Sequence, residues 1–134
     1  MTTRELTRDE WVAFFNAFSR HYRGRPITVQ VAGTGDEGRP KTLARRAPLV
    51  GLTAERDRDT VTAIQVIVGD SPGAHLTHVI RDPTRVRVAQ VSNGADELLL
   101  IDAEAGPTTR VDFSVKGLHD LRCPEDREGA DEVL

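Results

Sequence analysis

The hydrophobic rhythm of this 134-residue chain changes once, at Gly24, and that change narrows the folds open to it. Before Gly24, the residues Trp11, Phe14, Phe15, Phe18 and Tyr22 recur at intervals of three and four, which puts them on one stripe of an α-helix. After Gly24 the period becomes two and stays so to Val115. Ile27, Val29 and Val31 alternate with Thr28, Gln30 and Ala32, as in a strand with one face buried. One helix followed only by short strands predicts an α+β fold.

Helix-end chemistry sets the limits of the first element at about residues 6–23. Thr7 and Glu10 have the spacing of a capping box, and Leu6 and Trp11 that of a hydrophobic staple across it. Gly24 suits the left-handed position after a helix, and Pro26 prevents its continuation. Five of the six aromatic residues lie on this segment, so the stripe reads as its core face.

Beyond a Gly-rich charged loop at residues 33–40, segments 41–47 and 49–54 read as strands broken by Pro48, which cannot donate to a ladder. Val61 to Val68 is β-rich and apolar on both faces, as in a central strand. Asp70-Ser71-Pro72-Gly73 is a turn cluster, and residues 75–81 fit either a helical turn or a strand. The rest reads as a meander: Val86 and Val88 between Arg85 and Arg87, a turn at Ser92-Asn93-Gly94, the apolar run Leu98–Ile101, and Val111, Phe113 and Val115 in alternation. The expectation is a single domain over residues 1–115. In it an N-terminal amphipathic helix packs on a strongly bent, half-barrel-like, mostly antiparallel sheet of six to seven strands. Residues 116–134 read as a polar, acidic tail. One helix cannot cover both faces of such a sheet, so the sheet curls on itself, with a homodimer as a further way to cover it.

Composition excludes some classes. No apolar run approaches the roughly 18 residues of a membrane span. The opening MTTRELTRDEW lacks the apolar stretch of a secretory signal, and a single cysteine, Cys123, excludes an internal disulfide framework. A cytoplasmic location without a membrane partner is the expectation. The net charge of −3 is divided unevenly. Residues 1–60 carry eleven basic and eight acidic side chains, and residues 61–134 carry seven and thirteen. Arginine outnumbers lysine sixteen to two, which fits either anion recognition or a GC-rich genome.

Four motifs bear on chemistry. Gly33-Thr34-Gly35-Asp36-Glu37-Gly38 matches the dinucleotide fingerprint after a strand. However, residues 39–48 are too few for the crossover helix, and Asp36 and Glu37 would repel a pyrophosphate. No cofactor is expected there. His75 and His78 form H-x-x-H near Asp70 and Asp82; they share a face on a helix but oppose one another on a strand. Two imidazoles on one face could grip a metal, but neither His21 nor His119 supplies an evident second pair, so no metal is assigned. No nucleophile elbow is present, and Cys123 precedes Pro124 in the tail, where a supporting base is hard to build. Finally, Arg25, Arg45, Arg46, Arg85 and Arg87 could contact phosphates in the manner of Sm-like RNA-binding folds. Against this, the net charge has the wrong sign and the sheet offers one aromatic, Phe113, for stacking.

Several of these residues occur together in a pattern. Leu6-x-x-x-x-Trp11-x-x-Phe14-Phe15, the strand Ile27–Val31, Leu49-x-Gly51-Leu52-Thr53, and His75-Leu76-x-x-x-Ile80-x-x-Pro83-x-x-Val86-x-Val88 resemble a family of small bacterial proteins catalogued as domain of unknown function 5335. The likeness covers roughly residues 4–115. It implies a bacterial, single-domain, cytoplasmic protein with no assigned activity, and it supplies no catalytic residue. Three readings stay open. The first is a non-catalytic binding or interaction module that self-associates. The second is nucleic-acid or polyanion binding through the sheet arginines. The third is a minor enzyme or metal site near His75 and His78. The candidate ligand-binding residues are His75, His78, Arg85 and Arg87.

Overall fold

The computed structural model describes residues 2–32, 40–69, 74–90 and 96–113. The Gly33–Gly38 motif, the turn clusters at residues 70–73 and 92–94, Asp70, His119, Cys123 and the acidic tail lie outside these residues. Among the described residues, no helix is long and apolar enough to cross a membrane.

Strand β1 (Thr2–Leu6) runs into helix α1 (Arg8–Tyr22), whose start follows its local chemistry. The Thr7 amide donates to Glu10 Oε1 at 2.8 Å, and Trp11 Nε1 donates to the Leu6 carbonyl at 3.3 Å. Leu6 and Trp11 are both buried, so the staple forms. Gly24, at φ +84°, ends the helix in the left-handed conformation that a Cβ disfavours. Trp11, Phe15 and Phe18 bury almost completely, each contributing about 2–3 kcal/mol.

Seven further strands follow: β2 (Pro26–Val31), β3 (Lys41–Asp57), β4 (Thr60–Val68), β5 (Leu76–Arg81), β6 (Pro83–Gln90), β7 (Asp96–Ala103) and β8 (Thr109–Asp112). Among the described residues they and β1 form one eight-stranded sheet in the order β1-β6-β7-β8-β2-β3-β4-β5, antiparallel throughout and not closed. The α+β expectation stands, but the strand count rises from six or seven to eight. The extra strand, β1, exists because Thr2–Leu6 pairs with Gln90–Val86, 80 to 88 residues away.

Pro48 does not break β3, contrary to the expectation of two strands. It sits where the strand exchanges partners. Lys41–Pro48 pairs with β2, ending at Pro26 opposite Pro48, and Leu49–Asp57 pairs with β4. Arg46, at φ +52°, lies in a bulge where Thr28 Oγ1 accepts the Arg46 amide at 3.1 Å. Past Pro48 the edge that β2 leaves is covered by α1. Ser19 Oγ accepts the Leu52 amide at 2.8 Å and donates to the Leu52 carbonyl at 3.0 Å. A second corner, Asp82 at φ +51°, turns the chain directly from β5 into β6. These two corners bend the sheet around one core of Leu6, Trp11, Phe15, Phe18, Ile27, Leu52, Ile64, Val86, Leu99 and their neighbours.

Candidate functional site

The corner at Asp82 brings β5 against the turn that joins β7 to β8. Between them lies a recess of about 390 Å³, walled on one side by His78–Asp82 and on the other by Ala103, Ala105, Gly106, Pro107 and Thr109. His78 points inward from β5, opposite Val66 of β4. Its Nε2 lies 2.9 Å from Thr109 Oγ1 of β8, a contact across the bent sheet between residues 31 apart in sequence. Thr109 is 1% exposed, and burial holds the His78 imidazole below its ordinary pKa, so the ring is neutral at pH 7. A neutral imidazole beside a threonine hydroxyl is a polar floor under otherwise small or apolar walls.

His75 does not join it. It precedes β5, is exposed, and abuts Gly69, where an added Cβ would come within 2.7 Å of its Cδ2. His78 thus lies on a strand and His75 stands before it, so the helical turn that would set both rings on one face does not form. Among the described residues, no three His, Cys, Asp or Glu side chains gather around a common point.

Arg85 and Arg87 lie on the other face of the sheet, opposite Asp102 and Leu100 of β7. Arg85 Nε donates to Asp102 Oδ2 at 2.9 Å, Arg87 Nη2 reaches the same oxygen at 3.2 Å, and Thr108 Oγ1 donates to Asp102 Oδ1 at 2.6 Å. Burial pushes the Asp102 pKa up, but the Thr108 and Arg85 hydrogen bonds and the two guanidinium charges outweigh it and leave the carboxyl below its usual value. Both arginines are thus engaged by one carboxylate. Thr108 and Thr109, adjacent on the chain, serve opposite faces: Thr108 the ion cluster and Thr109 the recess. The four candidate residues do not converge, and only His78 lines the recess.

A second concavity of about 420 Å³ lies along α1, lined by Phe14, Phe18, His21, Tyr22 and Phe113. Its rings stack continuously; Phe18 and Phe113 meet edge to face at 4.9 Å, and Tyr22 and Phe113 lie 5.1 Å apart.

The feature that sequence reasoning missed is the outer margin of β5. Leu76 is 39% exposed and Val79 36%, and these are the exposed large apolar side chains of the described residues. Both occupy a terminal strand of the sheet. The signal was present in Leu76-Thr77-His78-Val79-Ile80-Arg81, which combines β-branched residues with one charge and no proline.

The model of the family of unknown function DUF5335 matches residues 2–119. The chain belongs to that family. The DUF5335 match takes in every strand of the sheet, including β1, and continues six residues past Phe113. No curated protein and no solved structure matches the chain. The recess and the β5 margin therefore both fall inside the DUF5335 unit.

Proposed function

We propose that this protein is a small binding and interaction module, and that β5 is its docking edge, onto which an extended segment of a partner polypeptide adds as a further strand. The observation that carries this reading is that the exposed large apolar side chains of the described residues, Leu76 and Val79, belong to a terminal strand whose outer side pairs with no described strand. The backbone supports it. The Asp82 amide donates to the Thr62 carbonyl of β4 at 2.9 Å, so by strand alternation the amides of Leu76, His78 and Ile80 also face β4. The backbone groups of Thr77, Val79 and Arg81 then face away from β4, and no described backbone group pairs with them there.

Proteins usually protect such edges with bulges, internal prolines or dense charge. The β5 ladder runs through six pairs without a register shift. The opposite edge, β1, is shorter and carries Arg4 and Glu5. The recess beside β5 adds room, because Ala105 and Gly106 present little bulk toward the incoming chain.

The test is a selection of displayed extended peptides on the immobilised protein, with Val79→Pro as the counter-screen. Proline removes the outward amide at position 79 and leaves the β4 ladder intact. The expected result is a set of peptides that bind the wild type, lose binding to Val79→Pro, and slow amide exchange at Thr77, Val79 and Arg81. Peptides that bind both proteins equally, or no binders at all, would refute the docking edge.

A further inference from the structure

We infer that the partner for the β5 edge is a second copy of this chain, paired antiparallel β5 to β5 about a twofold axis through Val79. The inference rests on the reading of β5 as a docking edge and names its occupant.

Three properties of the strand carry it. The first is parity. A twofold axis at Val79 pairs each residue with one whose number completes 158, so Thr77 meets Arg81 of the copy, Val79 meets Val79, and Arg81 meets Thr77. These are the residues whose backbone groups point outward from β4, so the three pairs are hydrogen-bonded ones, giving about six interchain bonds. An axis midway between neighbouring residues would set outward-facing groups against inward-facing ones and form no ladder.

The second is side-chain complementarity. Thr77, Val79 and Arg81 occupy the outer face, opposite Ile67, Gln65 and Ala63 of β4. Across the axis, exposed Val79 covers its own copy, and Arg81 meets a threonine, so no like charges face each other. On the inner face His78 meets Ile80, and Leu76, the most exposed apolar side chain, lies at the end of the paired segment.

The third is that the pairing is isologous and closed. It pairs the two β5 edges with each other. The outward edges that remain are the two short, charged β1 strands.

Sedimentation velocity on the full chain, from micromolar to millimolar concentration, tests the inference. Wild type is expected to show a concentration-dependent monomer–dimer equilibrium. Val79→Lys sets two ammonium groups against each other at the axis and should weaken the dimer about tenfold or more. Thr77→Lys places a lysine opposite Arg81 twice over and should weaken it about fivefold. Adding Arg81→Glu to Thr77→Lys creates two opposite-charge pairs in the same register and should restore it, a recovery that a folding defect cannot produce. A wild type that stays monomeric to millimolar concentration overturns the second-copy assignment; if peptides still select onto β5, the docking edge itself survives, and if none do, both readings fail. A dimer unaffected by Val79→Lys and Thr77→Lys forms through another surface and also overturns the inference.

Discussion

Replacing Ser19 with alanine isolates the contact that seats the helix on the sheet. Beyond Pro48, β3 has lost β2 as a neighbour, and the backbone groups of Leu52 face away from β4 toward α1. The Ser19 hydroxyl satisfies both, accepting from the amide at 2.8 Å and donating to the carbonyl at 3.0 Å. Leu52 is 1% exposed, so water has little access once the hydroxyl is gone. Each orphaned buried group costs about 1–3 kcal/mol, and partial hydration at half-buried Ser19 puts the pair near the lower end, about 1.5–3 kcal/mol. Alanine returns roughly 0.5 kcal/mol in helix propensity. The net loss is therefore about 1–2.5 kcal/mol, a fall of about 0.5–1.5 M in the urea midpoint at an unchanged slope. The control is Asn16→Ala, at an exposed position on the same helix, which should change stability by no more than about 0.5 kcal/mol in either direction. Equal midpoints for the two variants would refute the claim that one hydroxyl closes the β3 edge.

Two further predictions concern pH. His78 is held below its ordinary pKa of 6.5 by burial, so the unfolded chain takes up its proton first; stability is complete above pH 6.5 and falls as the pH drops below it. His78→Gln, which keeps a donor near Thr109, should flatten the loss of urea midpoint between neutral and mildly acidic pH, and an unchanged slope there would rule out His78 as its source. Asp102 acts in a lower window, because its carboxyl is also depressed: its stabilisation is present above pH 3.8 and is lost as the pH falls through the folded-state value. Asp102→Asn should lower stability at neutral pH by about 1 kcal/mol, since Arg85 is largely exposed and solvent screens the pair, and should remove this acid dependence in denaturant titrations.

The features legible in the sequence are those decided within a few residues. The staple of Leu6 on Trp11, the aromatic stripe and the left-handed Gly24 all depend on neighbours within one or two helical turns, and each forms as read. Strand β1 was not legible because Thr2–Leu6 has no alternation of its own and becomes a strand only by pairing with β6. Pro48 misled for a specific reason. The rule that proline interrupts a ladder assumes one partner along the strand, whereas β3 exchanges β2 for β4 at that residue. For the candidate site, a period of two does place Arg85 and Arg87 on one face. Their engagement by Asp102 needed the β6–β7 register, with Arg85 opposite Asp102. The His78–Thr109 contact spans 31 residues and depends on both corners of the bent sheet, so no local pattern encodes it.

The same two corners explain why an edge is left over. The described residues hold one helix, and its polar contact through Ser19 commits it to the part of β3 that β2 abandons. Beyond β5 the chain turns at the single residue Asp82, and β6 departs to pair with β1 and β7 at the far end of the sheet order. Strand β6 therefore cannot return to cover the strand it follows. The β7–β8 turn approaches β5 but supplies side chains for a recess and no strand for a ladder. Among the described residues, no strand lies beside β5 on the side of Thr77, Val79 and Arg81. The sequence furnishes this edge with valine and leucine instead of lysine or proline, which supports the proposal that another chain completes it.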